Sequence, residues 1–213
     1  MKREAHSITD STLDVLRSSL AGTMSEKRYA HTCAVERMAQ RLGALYCPEC
    51  IPELRAAALL HDITKEESLQ NQMQLCEQFG IMVSDADIHA PKTFHAITAA
   101  ALISHDYPQL ATPTVISAVR WHTTGRADMT LPEQLIYLAD YIDDTRKFED
   151  CVTLRHMFWD VDPAAMDEQT RLTHLRRVLL CSFDMTIRSL IEDGAPISED
   201  TFHARNHLLL QLA

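Results

Sequence analysis

Histidine and aspartate side chains recur in this sequence at places where the neighbouring residues are apolar. The adjacent pair His61-Asp62 ends the alanine- and leucine-rich stretch AAALLHD, whose composition favours burial. Two neighbouring polar groups cost free energy there unless they are paired or bound to a metal ion. An isolated buried histidine is ordinarily satisfied by a hydrogen bond in the core, so this pair alone leaves both interpretations open.

Four more side chains of the same two types occupy apolar helical faces elsewhere in the chain. They are His31, His95, His122 and Asp140. His31 precedes Val35 and Met38 at helical spacing, and Asp140 follows Ile136 by about one turn. Each position alone is a weak signal, whereas four imidazoles and two carboxylates directed inward are difficult to satisfy by hydrogen bonding. The set therefore predicts a metal centre.

The chemistry of this ligand set narrows the choice of metal. Imidazole and carboxylate groups suit iron, manganese, cobalt, nickel or zinc, and the lack of cysteine in the set argues against a structural zinc site. Six ligands are too many for one ion that keeps open positions, so we expect two divalent cations that share a carboxylate. His89 competes with His95 as the third histidine. We prefer His95 because it begins a helix, whereas His89 lies in the aperiodic stretch 81–94.

Helices must bring these side chains together, because apolar residues recur at helical spacing and no convincing pair of strands is evident. We predict helices over about 13–20, 26–42, 52–61, 66–79, 95–107 and 113–122, one from Thr130 past Asp140, a long segment from Asp162-Pro163 to Gly194, and a short helix after Ser198. Thr130-Leu-Pro-Glu133 is a capping box. We expect one all-α domain over 1–213, with a metal-site core at about 26–145 and C-terminal helices at about 148–213.

Composition and charge argue against several classes of protein. The 213 residues carry a formal charge of −10, whereas a sequence-independent nucleic-acid binder needs a clustered basic face. An anionic substrate stays compatible with this charge, since bound metal ions are usually the largest local charges in such sites. The run of small apolar residues at 56–60 is far too short to span a bilayer. The charged start lacks the apolar segment of a secretory signal, so we expect a cytoplasmic protein.

Six cysteines in this setting do not indicate a disulfide framework. Free thiols in a reducing compartment are the favoured interpretation. Cys47-Pro-Glu-Cys50 has the spacing of half a zinc site or of a redox motif, but no second pair of this kind and no strand–helix–strand context accompany it. We interpret this segment as a helix-connecting loop with two thiols.

The order H…HD…H…H…D, at positions 31, 61-62, 95, 122 and 140, resembles that of the HD-domain metal-dependent phosphohydrolases. Four segments sharpen the resemblance: RYAHT, HDITK, HTTGR and LADYI, which begin at residues 28, 61, 122 and 138. They are similar to the YqeK-type branch, the bacterial symmetrical bis(5′-nucleosyl)-tetraphosphatases, and HTTGR is the most discriminating of them. The resemblance covers nearly the whole chain and implies a single HD-domain helical bundle.

The resemblance also implies an activity and a grouping of the ligands. The activity is hydrolysis of diadenosine tetraphosphate into two ADP by a metal-activated water. His31, His61, Asp62 and Asp140 would hold one ion, and His95 and His122 the second, with Asp62 bridging the two. This branch tends to use iron, although manganese or another divalent ion would fit the same ligands.

Basic and hydroxyl side chains close to the ligands are the predicted substrate contacts. They are Lys65, Thr123, Thr124, Arg126 and Arg146. We predict Lys65 and Arg126 as catalytic residues together with Asp62, because Lys65 supplies a point charge and Arg126 can bind phosphate with two donors. A solvated surface charge is the alternative for each basic residue, and a loop cap is the alternative for the two threonines.

Two other functions stay open at this point. HD sites also serve nucleotidases and nucleoside triphosphate hydrolases, because a fold does not fix a substrate. A non-catalytic nucleotide-sensing module is the alternative from another class, although all six ligand positions are filled. The expected partner is a small dinucleoside polyphosphate or nucleotide, not a nucleic acid or a membrane. A homodimer is compatible with a small helical hydrolase, but no sequence feature establishes one.

Overall fold

A computed structural model describes residues 8–83 and 88–213, and in these ranges the chain forms α-helices and no β-strand. Ten α-helices are described there: α1 (Asp10–Leu20), α2 (Glu26–Tyr46), α3 (Ile51–Leu60), α4 (Leu69–Gln78), α5 (Phe94–Asp106), α6 (Pro113–Trp121), α7 (Leu131–Ile142), α8 (Glu149–Trp159), α9 (Glu168–Glu192) and α10 (Glu199–Leu212). The predicted all-α fold class is confirmed. None of these helices is both long enough and apolar enough to cross a bilayer.

Side-chain caps determine where several of these helices begin. Ser25, Ser68 and Asp167 each accept a hydrogen bond from the backbone N–H three residues later, at the starts of α2, α4 and α9. Helix α7 has the predicted capping box, in which the Thr130 hydroxyl accepts from the Glu133 N–H and the Glu133 carboxylate accepts from the Thr130 N–H. The box fixes the start of the helix that carries Asp140.

Helices α2, α3, α6 and α7 pack against one another at the centre of the molecule, and α5 packs on α6. The inward faces of α3 and α6 are apolar up to their last turns, where Leu59, Leu60 and Val119 are fully buried. Each such side chain stabilises the fold by roughly 1.5–3 kcal/mol relative to an exposed position. The polar residues that follow them are therefore held in a well-packed apolar surrounding.

The C-terminal helices attach to this centre through aromatic contacts. Helix α8 packs against α7 and α9, and α9 packs against α10. Phe183 on α9 is fully buried and stacks on Tyr137 of α7, with the ring centroids 4.6 Å apart. Tyr141, one turn further along α7, hydrogen-bonds Thr186 of α9 at 2.8 Å. These contacts fix α9 beside the helix that carries Asp140.

Helix α8 lies within the range where C-terminal helices were expected, but the apolar pattern gave it no bounds of its own. Its buried face consists of Cys151, Leu154 and Phe158 at spacings of three and four. This is a helical pattern, but three positions within a short polar segment do not stand out from their surroundings. Tertiary packing on α7 and α9 therefore defines this helix more than its own sequence does.

Two helix starts also differ from the prediction. Helix α4 begins at Leu69 and not near residue 66, because Ser68 is its cap and residues 62–67 form turns. The long helix α9 begins at Glu168, while Asp162-Pro163 lies in a separate 3₁₀ turn. Asp162 has a positive φ of 46°, a conformation that no helix can contain.

The segment between α2 and α3 corrects the interpretation of its two cysteines. Cys47 and Cys50 form a disulfide with Cα atoms 5.3 Å apart, and residues 48–50 form a 3₁₀ turn. The expectation of a loop with two free thiols is wrong for this pair. Pro48 begins the turn directly after Cys47, and the turn brings the two sulfur atoms to the same side. Cys33, Cys151 and Cys181 are free thiols, as expected.

Candidate metal centre

All six predicted metal ligands are buried, and five helices bring them to one place. His31 lies on α2, His61 and Asp62 at the end of α3, His95 in the first turn of α5, His122 at the end of α6 and Asp140 on α7. The alternative third histidine, His89, is exposed. The structure therefore brings His95 to the cluster, which is the choice preferred from the sequence.

Asp62 is at the centre of the cluster, and each of its oxygens faces two imidazoles. Its Oδ2 lies 3.2 Å from Nε2 of His61 and 3.7 Å from Nε2 of His31. Its Oδ1 lies 3.3 Å from Nε2 of His95 and 3.8 Å from Nε2 of His122. A carboxylate with nitrogen donors on both sides has the arrangement that a bridging metal ligand needs.

Asp140 completes one side of this arrangement. Its Oδ1 lies 2.9 Å from Nε2 of His31 and 3.8 Å from Nε2 of His61. On the other side, the Nε2 atoms of His95 and His122 are 3.0 Å apart. The donor atoms thus form two groups on either side of Asp62. The resemblance implies the same grouping for two ions, and the ligand roles themselves stay a prediction.

Backbone carbonyls orient two of the imidazoles for metal binding. Nδ1 of His61 donates to the carbonyl of Ala58 at 2.6 Å, and Nδ1 of His122 donates to the carbonyl of Val119 at 2.7 Å. A carbonyl can only accept, so the ring proton lies on Nδ1 and the lone pair of Nε2 is directed into the cluster. Among the residues that the structure describes, no hydrogen-bond partner meets the buried Nε2 of His61.

These donors fit divalent transition metals. The ligand atoms of His31, His61 and Asp140 lie within 4.8 Å of one another, and so do those of His61, Asp62 and His122. Both groups consist of imidazole nitrogens and carboxylate oxygens, the donors that iron, manganese and zinc accept. An unsatisfied buried nitrogen costs free energy that a bound cation would offset. The residues present therefore fit the metal dependence of this kind of site.

The protonation states of the cluster also suit a metal. Burial alone would raise the pKa of Asp62, but the surrounding imidazoles, His61 first, hold it well below its ordinary value. Burial would likewise raise the pKa of Asp140, which Arg146 holds well below its ordinary value. Burial lowers the pKa of His95 well below its ordinary value. Ionised carboxylates and a neutral imidazole are the forms that bind a metal.

His31 has a further acidic neighbour that the sequence pattern did not indicate. Burial would lower the pKa of His31, but Asp140 and Asp143 outweigh burial and raise it to about 9. Asp143 Oδ2 lies 3.3 Å from His31 Nδ1, and Asp143 in turn accepts a hydrogen bond from the backbone N–H of Thr145 at 2.8 Å. Asp143 is the C-cap of α7, three residues after Asp140, and the backbone leaves the helix there.

Two arginines bind the two carboxylates of the cluster. Nη1 of Arg28 donates to Asp62, and Nη2 of Arg146 donates to Asp140 Oδ1 at 2.5 Å. Arg146 is a predicted substrate contact, whereas Arg28 was not in the predicted set. The signal for Arg28 is its position three residues before His31 on the same helix, which places both on one face.

Lys65 and Thr123 contact the imidazoles on the other side. Nζ of Lys65 lies 3.2 Å from both ring nitrogens of His95. The Thr123 hydroxyl lies 3.1 Å from Nε2 of His95 and 3.1 Å from Nε2 of His122. Both residues are predicted substrate contacts, and the structure brings both to the cluster.

Arg126 and Thr124, the other two predicted substrate contacts, are engaged elsewhere. Nε and Nη2 of Arg126 donate to Oε1 of the fully buried Glu133 at 3.2 and 3.1 Å. The Thr124 hydroxyl donates to the carbonyl of Gly125, and the Thr124 carbonyl accepts from the Thr201 hydroxyl. These contacts hold the loop after α6, and they do not support the phosphate-binding roles predicted for the two residues.

Comparison with known protein families identifies the chain. The sequence model of the HD domain matches residues 28–145, which is more than half of the chain. This chain belongs to the HD-domain family. The resemblance inferred from the order of histidines and aspartates is therefore confirmed, and all six predicted ligands of this HD-domain protein lie within the matched residues.

Relatives of this HD-domain protein carry a specific name. A symmetrical bis(5′-nucleosyl)-tetraphosphatase of Halalkalibacterium halodurans is 30% identical over 88% of this chain and 92% of its own length. The protein of the same name from Bacillus subtilis is 29% identical over 87% of this chain and 91% of its own. The Staphylococcus aureus protein of that name is 31% identical over 64% of this chain and 69% of its own. The prediction that this chain is an enzyme is therefore confirmed.

A solved structure extends the likeness to the C-terminal helices. A crystal structure from Clostridium acetobutylicum, described as a predicted HD superfamily hydrolase involved in NAD metabolism, is 32% identical with a TM-score of 0.79. The match covers 93% of this chain and 97% of the other. The shared fold therefore extends well beyond residues 28–145.

Proposed function

We propose that this HD-domain protein hydrolyses diadenosine tetraphosphate symmetrically into two ADP, with two divalent cations at the cluster around Asp62. The observation that carries the proposal is the convergence of four imidazoles on the two oxygens of one buried carboxylate. The three named relatives support the substrate, because each bears the name of a symmetrical tetraphosphatase. A nucleotidase, a nucleoside triphosphate hydrolase and a non-catalytic sensor have no comparable support.

The proposed reaction consumes one water. The water oxygen forms a bond to one of the two inner phosphorus atoms, and the bond from that phosphorus to the central bridging oxygen breaks. The bridging oxygen leaves as part of the second ADP, and two protons are released when both ADP products are fully ionised. Each product keeps two phosphates, so the nucleoside ends of the substrate take no part in the bond changes.

The chain offers a ligand set for each cation. His31, His61 and Asp140 would hold one ion, His95 and His122 would hold the other, and Asp62 would bind both. Bound cations would lower the pKa of the attacking water and neutralise phosphoryl oxygens. Iron is the first metal to test, because the resemblance favours it over manganese.

The basic side chains at the cluster have the chemistry to bind the polyphosphate. Arg28 and Arg146 lie on the two carboxylates, and Lys65 lies on the imidazole of His95. Phosphate oxygens accept hydrogen bonds from guanidinium and ammonium groups, and charge-assisted bonds of this kind are about twice as strong as neutral ones. The Thr123 hydroxyl adds a neutral donor. Catalysis of phosphoryl transfer depends mainly on such positioning and charge neutralisation.

Product analysis on metal-quantified protein tests the proposal. Diadenosine tetraphosphate, ATP, AMP and inorganic pyrophosphate are each incubated with the protein loaded with iron or with manganese. We expect rapid hydrolysis of the dinucleotide with ADP as its product. Formation of ATP together with AMP would indicate asymmetric cleavage and would contradict the proposal, as would a preference for ATP or AMP.

Substitution of Asp62 tests the metal centre by two readouts. Asp62→Ala removes the carboxylate shared by both ligand groups, so we expect it to lose bound metal and to lose activity by at least about a hundredfold. Asp160→Ala removes an exposed carboxylate at the end of α8 and should change neither quantity. An active Asp62→Ala protein without metal would rule out the bridging role.

A further inference from the structure

The start of α3 holds a pair of cysteines that the metal centre does not use. Cys47 and Cys50 are joined by a disulfide across the 3₁₀ turn of residues 48–50. His61 follows the opposite end of α3, so a helix of ten residues, about 15 Å long, separates the disulfide from the cluster. The pair is therefore a second reactive group of this chain, remote from the metal ligands.

The short sequence separation of the two cysteines limits what their disulfide adds to the stability of the fold. They are only three positions apart, and a disulfide stabilises a protein less the shorter the loop that it closes. The corner between α2 and α3 also has other contacts. The Cys47 N–H donates to the Gly43 carbonyl at 2.8 Å. A Cβ added to Gly43 would lie 2.9 Å from side-chain atoms of Ile51 and Leu54, so the two helices pack closely there. The corner can therefore keep its shape when the disulfide opens.

The two cysteines differ in their access to solvent. Cys47 is only 7% exposed, whereas Cys50 is partly exposed. A cavity of about 550 Å³ adjoins the turn through Pro48 and Ile51, so there is space beside Cys50 for a small molecule. A thiolate must reach the sulfur that it attacks, and access therefore decides which sulfur of a disulfide reacts. Access favours the sulfur of Cys50.

The charges around the two sulfur atoms favour the same one. Cys50 is the N-cap of α3 and makes no side-chain cap hydrogen bond. The N-terminus of a helix stabilises an anion, including a thiolate. Oε1 of Glu49 lies 3.3 Å from Sγ of Cys47, and the negative charge of a carboxylate disfavours a thiolate there. Cys50 is therefore the better thiolate of the pair as well as the more accessible sulfur.

We propose that the Cys47–Cys50 pair is a thiol–disulfide exchange site for low-molecular-weight thiols, with Cys50 as the residue that carries the mixed disulfide. A thiolate forms a bond to Sγ of Cys50, the disulfide bond breaks, and Cys47 leaves as a thiolate that takes a proton from water. A second thiolate then bonds to the sulfur of the first thiol and frees Cys50. The pair gains two electrons, which the two thiols lose as they form one disulfide. The proposed hydrolysis takes no part in this exchange.

Equilibration with glutathione tests this site in the full chain loaded with manganese, which keeps redox-active iron out of the assay. Samples in mixtures of reduced and oxidised glutathione are quenched with acid, free thiols are alkylated, and peptide mass spectrometry gives the state of each cysteine. We expect the pair to convert reversibly between disulfide and dithiol across these mixtures. In oxidised glutathione, Cys47→Ser should form the mixed disulfide on Cys50 at least about tenfold faster than Cys50→Ser forms it on Cys47, because Cys47 is buried.

Cys181→Ser is the matched control, because Cys181 is also partly exposed but carries no disulfide. This variant should leave the equilibrium of the Cys47–Cys50 pair unchanged. A pair that stays oxidised in reduced glutathione alone would be a structural disulfide, and a pair that stays reduced in oxidised glutathione alone would be two inert thiols. Either result would overturn the proposal, and so would loss of the helical circular dichroism on reduction. Equal rates for the two serine variants of the pair would overturn the assignment of Cys50.

Discussion

Arg126 makes contacts that bear on the phosphate-binding role predicted for it. It belongs to HTTGR, the most discriminating segment of the sequence, and it directly follows the loop residues beside His122. Its guanidinium is nevertheless bound to Glu133, which also accepts from the Ser117 hydroxyl and from the Thr130 N–H. A fully buried carboxylate needs such donors, because its desolvation is costly. The contacts give Arg126 a structural role at the start of α7.

We therefore expect replacement of Arg126 to affect the stability of the fold more directly than catalysis. Arg126→Ala should lower the free energy of unfolding by about 2 kcal/mol, because it leaves the buried Glu133 carboxylate without its cation. Arg126 itself is partly exposed, which keeps the loss at this modest size. Urea denaturation measures the loss. Adding Glu133→Gln to the Arg126→Ala variant should recover part of the lost stability, because the buried side chain at position 133 is then uncharged. Unchanged stability with a large loss of activity would instead restore Arg126 as a phosphate ligand.

The cluster itself shows which residues a sequence can indicate. His31 and Asp140 were predictable because apolar residues one turn away gave them an inward face. Asp143 follows Asp140 by three residues, but it is the C-cap of α7, so its contact with His31 depends on where the helix ends. Arg28 is on the same helix as His31, but the sequence cannot distinguish an arginine that pairs with Asp62 from one whose charge is solvated at the surface. Long polar side chains need the tertiary structure to place them.

The loop between α6 and α7 is the element that joins the metal centre to the C-terminal helices. Gly125 has φ +63°, and a Cβ there would lie 2.6 Å from Cζ of Phe183 on α9 and 3.0 Å from Cβ of Ala204 on α10. The backbone thus passes directly over the C-terminal helices, just after His122. The Thr124 carbonyl accepts a hydrogen bond from Thr201 at the same place. Glycine in HTTGR is a packing requirement as much as a conformational one.

Gly125→Ala combines a conformational penalty with a steric clash, whereas Gly194→Ala carries the conformational penalty alone. Gly194 also has φ +63°, but an added Cβ would meet no atom within 4 Å. We expect Gly194→Ala to lower the free energy of unfolding by about 1 kcal/mol through conformation alone. Gly125→Ala should cost about 1–3 kcal/mol more, because the buried ring must move. Chemical denaturation of the two variants measures the difference. Equal losses would contradict the close contact with Phe183.

Elements with their own local signals were predicted well, and elements without them were not. The capping box at Thr130 indicated the start of α7 correctly, because both of its hydrogen bonds lie within four residues. Helix α8 has no side-chain cap bond and a buried face of only three residues, so its signal comes from its neighbours. The Cys47–Cys50 disulfide was missed for a related reason, since a thiol pair and a disulfide have the same sequence.

At the scale of the whole molecule, the cluster couples folding to protons and to metal. A formal charge of −10 accompanies a site in which basic side chains already bind both ligand carboxylates. His31 is held as a cation by Asp140 and Asp143, with its pKa raised to about 9. A metal needs the neutral imidazole, so metal binding at this residue must release a proton. Stability and metal affinity then depend on pH in different ways.

The metal-free protein should become less stable as pH rises from about 6.5 to about 9. The pKa of His31 is higher in the folded chain than the ordinary 6.5, so its contribution is complete below 6.5 and is lost as pH rises through 9. The loss is on the order of 3 kcal/mol, because each unit of pKa corresponds to about 1.4 kcal/mol. Urea denaturation after chelation measures it.

His31→Asn should abolish this pH dependence of the free energy of unfolding. The metal-loaded parent should lack it as well, since a metal-bound imidazole is neutral throughout this pH range. If the free energy of unfolding varied with pH in the same way for the metal-loaded and the metal-free protein, His31 would gain no proton on folding.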